Sequence, residues 1–220
     1  MMNISKITLA VALALAGIGA AQAAQFSAGG GLVSGRIDGL TFEQTPYGLD
    51  GGAGARTGSY SGLQASAGAA FGPVLLGLNA MKSTSGVQVD DLSATAGYAL
   101  QATPSLVITP GAQWGVMHVN GQAYTRVAAT LGAGYAIAPE WTLLGSVAVG
   151  RTHGTRSGPM LARGWGDYRA GQVAVAYSPA KVGTFTLAAT EQVTQTADLP
   201  SMGDLDMRSR ALSLTYSRTF

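Results

Sequence analysis

Acid–base or nucleophilic chemistry would have to come from very few residues here. The chain has two histidines, His118 and His153, eleven acidic residues and no cysteine. Asp90 and Asp91 are adjacent, so on an extended strand they point to opposite faces. Neither histidine has an acid within two residues, and beyond residue 23 glutamate occurs only at Glu43, Glu140 and Glu191. No carboxylate pair or metal-ligand spacing emerges, and neither cofactor nor metal is expected. Arginine is the richer source. The stretch RTHGTRSGPMLARGWGDYR, residues 151–169, holds four arginines and His153. A guanidinium pairs bidentately with phosphate and similar oxyanions, so such a loop suits acidic glycans or other polyanions. It also suits plain solvation.

The elements that would carry these residues are unusual. Charged residues make up 11% of the chain, less than half the common share of about 25%, and 32 of 220 residues are glycine. A soluble surface needs more charge than this. Apolar runs such as GYAIAPEWTLLGSVAVG, 134–150, are broken before they reach the ~18 residues of a membrane helix. Period two resolves this one after its turn. Trp141, Leu143, Val147 and Val149 fall on one face, and Thr142, Ser146, Ala148 and Thr152 on the other, which is strand alternation. The same split occurs in 58–71, 123–137 and 211–220. Bulky apolar residues occupy one face, and small or polar ones occupy the other. Charge is nearly absent from both, which fits lipid outside and a modestly polar interior better than a soluble sandwich.

Short proline turns at Gly72-Pro73, Thr103-Pro104, Pro139-Glu140 and Ser178–Lys181 alternate with connections near 36–57, 86–90, 120–122, 154–165 and 197–204 that are generally longer and more charged. The expected strands run over 25–35, 58–71, 74–85, 91–102, 106–119, 122–138, 141–153, 166–178, 184–196 and 205–220. Each reaches or exceeds the ~9–11 residues of a tilted membrane strand. Lipid cannot satisfy backbone N–H and C=O groups, so the sheet must close. The fold class is therefore all-β: a closed antiparallel up-and-down transmembrane barrel of about ten strands, eight if one hairpin near Asp90 or Val119–Gln122 is false. Phe71, Tyr98, Tyr135, Trp141, Tyr177, Phe185 and Phe220 sit beside the proline turns, where rings settle at a membrane–water boundary. They are expected to form a girdle. Positive charge gathers at the other end.

The N-terminus reads as a cleaved leader over 1–23: Lys6, an apolar run Ile7–Ala20, then Ala21-Gln22-Ala23. The barrel domain is 24–220. Without Lys6, twelve basic residues face eleven acidic ones, too small an excess for a nucleic-acid partner.

The hairpins Gly97-Tyr98…Pro104 and Gly134-Tyr135…Pro139, the segment ITPGAQWGV at 108–116 and the terminal LSLTYSRTF resemble the small outer-membrane β-barrels of Gram-negative bacteria, the opacity-protein and outer-membrane-protein-A-like group. That resemblance implies the outer membrane, periplasmic termini, and an assembly signal in Leu214, Tyr216 and Phe220 for the outer-membrane assembly machinery. The group usually has an apolar or aromatic residue two before the last; this chain has Arg218. The resemblance also implies lipid and lipopolysaccharide as partners. Lys82, Arg151, Arg169, Arg208 and Arg210 fall on lipid-facing registers at the loop end, where lipopolysaccharide phosphates would lie, and are expected to form a contacting rim. Barrel hydrolases of related build use Asp pairs with Asp–His, or a His–x–Ser with Glu. His118 and His153 fit neither, so no catalytic residue is assigned. The interior face includes Gln64, Ser66, Asn79, Thr95, Thr109, Gln113, Arg126, Thr130, Ser146, Gln172, Thr186 and Thr190. This predicts either a narrow passive porin-like channel or a lumen partly filled by the first loop. The expectation is a non-enzymatic channel or a surface-exposed structural barrel, with a polyanion-binding adhesin as the alternative. Glu191 on the lipid register and Pro110 inside a strand are the two irregularities, for which β-bulges are the suggested explanation.

Overall fold

Alternating side chains leave each segment with one face to bury in lipid and one to turn inward, and the backbone satisfies itself only in a closed ladder. The computed structural model describes residues 24–38, 58–120, 122–155, 165–199 and 203–220. The leader, most of the first loop and Arg56, Arg156 and Arg163 lie outside the described residues. Ten strands form one antiparallel sheet: β1 Gln25–Asp38, β2 Gly58–Phe71, β3 Val74–Gly86, β4 Val89–Tyr98 continuing as Leu100–Thr103, β5 Leu106–Val119, β6 Gln122–Ala138, β7 Trp141–Thr155, β8 Trp165–Tyr177, β9 Thr184–Leu199 and β10 Gly203–Thr219. Each strand pairs with its sequence neighbours, and β1 pairs with β10 from Ser27↔Thr219 to Asp38↔Arg208. The sheet is therefore a closed barrel, and both doubtful hairpins are real. Asn120, with φ of 49°, takes the left-handed position of the β5–β6 turn, a conformation asparagine tolerates better than most residues.

The two irregularities have explanations other than bulges. Gly97↔Gly111 and Leu100↔Ile108 share one register, so Tyr98 stands opposite Pro110. Proline has no N–H to donate to the ladder, and the amide of Ala99, the residue after Tyr98, bonds on the other side of β4, to the Pro73 carbonyl at 2.7 Å. The ladder is interrupted there without slipping. At Glu191 the pairing is continuous on both sides, with Arg210 and Gly171. Its charge is met by ion pairs described below.

Exposed apolar side chains cover the outside. Leu32, Val173, Leu212 and Val149 are each at least 60% exposed, and water would tolerate no such continuous surface. This exterior is a lipid-facing surface. On β7 it runs from Trp141 to Arg151. At ~3.4 Å per residue and ~40° tilt that spans about 26 Å, close to the ~25 Å apolar band of membrane barrels.

Candidate functional site

Inward-facing residues change character along the barrel. In the loop half they are bulky. Val33 and Ile37 of β1, Tyr60 of β2, Val89 of β4, Met117 and Val119 of β5, Tyr124 of β6 and Met207 of β10 pack into one cluster. Ile37, Val89, Val119, Met117 and Met207 are no more than 2% exposed. The Tyr60 hydroxyl lies 3.5 Å from Ser209 Oγ, and the Gln192 amide donates to Met117 Sδ at 3.2 Å. The interior is therefore open only in part. The expectation of small side chains leaving volume throughout does not hold in the loop half, because these positions carry Tyr, Met, Ile and Val.

One position nearer the turns on β6 stands Arg126. Its guanidinium donates two hydrogen bonds to the Asp91 carboxylate, from Nη1 at 2.6 Å and Nη2 at 2.7 Å. The two side chains are 5% and 14% exposed, and the guanidinium lies 5.6 Å from the Tyr168 ring. Asp91 is on β4 and Arg126 on β6, so the arginine crosses β5 to reach it. Gly115, the register partner of Arg126, leaves the path clear. A Cβ there would lie 3.0 Å from Arg126 Nη2 and 3.0 Å from the Leu92 carbonyl oxygen. A buried bidentate pair satisfies most of both charges. Together with Tyr168, Ala128 and Ala148 it forms the floor of the apolar cluster.

The turn half is different. A cavity of about 540 Å³ opens beside the Pro104 and Pro139 turns, lined by Thr109, Thr142, Leu144, Ser146 and Gln172 among others. Gln172 donates to Thr190 Oγ1 at 3.1 Å. Here the inward residues are the small hydroxyl and amide side chains that the sequence suggests.

No catalytic grouping forms among the described residues. Asp91 is engaged by Arg126. Asp90 and His118 are register partners, but on the outer face, and no set of three His, Cys, Asp or Glu among the described residues could hold a metal ion.

On the outside, the aromatics named from sequence all lie at the turn end. Trp141 stacks on Tyr177 at 4.7 Å between ring centroids, Phe185 on Tyr216 at 5.1 Å, and Phe26 meets Phe71 edge-on at 6.2 Å. Phe185 is also the register partner of Tyr177, so the rings run unbroken over four strands. Tyr98 and Tyr135 continue the ring on β4 and β6, and Phe220 is 75% exposed. Leu214 and Tyr216 face outward with it, and the Phe220 amide donates to the Phe26 carbonyl at 2.8 Å.

At the loop end, Arg151 and Arg169 lie on the adjacent strands β7 and β8, and Arg208 and Arg210 lie on β10, one strand further across β9, while Lys82 stands apart on β3, opposite Asp90. Glu191 of β9 contacts Arg208 Nε at 3.2 Å and Arg210 Nε at 3.5 Å. Arg169 is 3.7 Å from Asp167. Sequence reading left one member out of this rim. Arg36 of β1 is the register partner of Arg210 and contacts Asp38 at 2.7 Å. Its place was hidden because it depends on how the first strand meets the last.

No family model matches the chain, and no curated protein matches it. Among solved structures it is similar in fold to Neisserial surface protein A, with 10% identity over 89% of this chain and 97% of that one and a TM-score of 0.45. It is similar also to the outer membrane protease OmpT from Escherichia coli, at 10% identity over 90% and 96% with a TM-score of 0.49. A third is Ail, the attachment invasion locus protein of Yersinia pestis, at 13% over 89% and 99% with a TM-score of 0.35. What each of those proteins does stays with it.

Proposed function

We propose that this chain is a non-enzymatic barrel of the Gram-negative outer membrane, sealed to solutes on its loop side and acting through its surface rather than its lumen. The proline turns and both termini face the periplasm in this reading, and the longer connections face outward. One observation carries it: the loop half of the lumen is filled by strand side chains, from Ile37 at 0% exposure to Met117 and Met207 at 2%, above the Arg126–Asp91 pair. A passive pore needs a water path, and water is excluded where apolar groups pack to native density. The rim arginines would meet lipopolysaccharide phosphates, and Leu214, Tyr216 and Phe220 would be read by the assembly machinery.

Planar-bilayer recording of refolded protein tests this, with heat-modifiable gel mobility confirming the fold. No steady conductance above the bare membrane is expected. A steady ohmic current that scales with inserted protein would overturn the sealed reading and restore the channel.

A further inference from the structure

Like charges placed directly opposite on neighbouring strands are destabilising, yet Arg36 of β1 and Arg210 of β10 are register partners. Both side chains are more than half exposed, so neither is held there by packing. Arg208, the next outward residue on β10, adds a third guanidinium. Two carboxylates serve all three: Asp38 binds Arg36, and Glu191 is shared between Arg208 and Arg210. One positive charge is left over.

The direction of these contacts matters. Arg36, Arg208 and Arg210 each meet their carboxylate through Nε. In none of these three ion pairs is an Nη group the contacting atom. A guanidinium fixed by one edge presents the other in a defined plane, and that fork matches a phosphate. Toward the membrane, the next outward residue on β10 is Leu212, 60% exposed, followed by Leu214 at 54%, with Leu187 at 57% on β9. A surface for acyl chains therefore begins immediately below the cluster.

We propose that Arg36, Arg208 and Arg210 form a site for a single phosphate group on a membrane glycolipid, with Asp38 and Glu191 as positioning residues. It rests on the lipopolysaccharide-rim reading and sharpens it, from a belt spread around the barrel to one seat on the β1–β10–β9 seam that includes Arg36 and gives Lys82 and Arg151 no part.

The test is native mass spectrometry of the full refolded barrel in detergent micelles, titrated with bisphosphorylated lipid A, with the same lipid dephosphorylated, and with lipid A in competition with inorganic phosphate. Arg36→Gln and Arg210→Gln are each expected to weaken lipid A binding about tenfold. Arg151→Gln is expected to cost less than about threefold, and Arg218→Gln at the turn end nothing. Arg36→Lys keeps the charge but loses the fork and should fall between Arg36→Gln and the parent. It also guards against misfolding, as does heat-modifiable mobility of every variant. Equal losses for Arg36→Gln and Arg151→Gln, or none for Arg36→Gln, would overturn the site and leave only a diffuse rim. Displacement of lipid A by low-millimolar inorganic phosphate would overturn the lipid source. If the parent barrel takes up the dephosphorylated lipid equally well, the rim reading itself falls, and the site with it.

Discussion

Asp91→Leu is the sharpest probe of the sealed lumen, because wet and dry interiors give very different answers. The Asp91 and Arg126 side chains are 14% and 5% exposed and joined by two short hydrogen bonds. Removing the carboxylate leaves a guanidinium without its counter-charge in a packed interior, beside the Tyr168 ring. Breaking one partner of a buried pair costs about 3–5 kcal/mol. Arg126→Met, which strands the carboxylate, is expected to cost about as much. Asp91→Leu with Arg126→Met removes both charges at similar volume, and such replacements are often neutral or stabilising by about 1–4 kcal/mol. The double variant should therefore recover the loss, with a coupling of at least ~6 kcal/mol in the mutant cycle, the sum of the two single losses. Urea unfolding of the refolded barrel in lipid vesicles, followed by tryptophan fluorescence, measures all four proteins. A loss below ~1 kcal/mol for Asp91→Leu, the value of a solvated pair, would mean that water reaches Arg126. The seal would then not exist.

Two further outcomes can be read in the same assay. Gly115→Ala should cost about 1–3 kcal/mol by crowding the crossing guanidinium, and the cost should shrink in the Arg126→Met background; an undiminished cost there would assign it to the Leu92 carbonyl instead. Leu187→Arg, in the middle of the outer band, should cost about 2–4 kcal/mol, while Val193→Arg at the loop end should cost no more than ~1 kcal/mol. Similar values at both positions would argue against an acyl environment around Leu187.

The architecture was legible because period two survives any error in loop length. Trp141, Leu143, Val147 and Val149 identify their face without knowledge of neighbouring strands. Even the doubtful split at Val119–Gln122 is decided by local residues, since Asn120 accepts the turn conformation. Pairings across strands were not legible. Arg126 was placed on the interior face, but its partner sits two strands away across Gly115, and only the register brings them together. Arg36 has no place in the rim read from sequence, because its neighbour Arg210 lies at the far end of the sequence. The plug had a signal that averaging concealed. Taken along whole strands the inward face reads as small and polar, but Tyr60, Val89, Met117, Val119, Tyr124 and Met207 all fall at its loop-side end. The asymmetry lies between the two halves of each strand, not between its faces.

The pairing of Ser27 with Thr219 has a consequence for biogenesis. β1 finds one partner within a few dozen residues but must wait for the final strand to be synthesised before it gains the other. Until then both margins of the growing sheet offer unpaired N–H and C=O groups, a template for adhesion to other chains. Contacts so distant in sequence form slowly, so ring closure is expected to be the late event in maturation. The chain would need protection from self-association until its first and last strands meet.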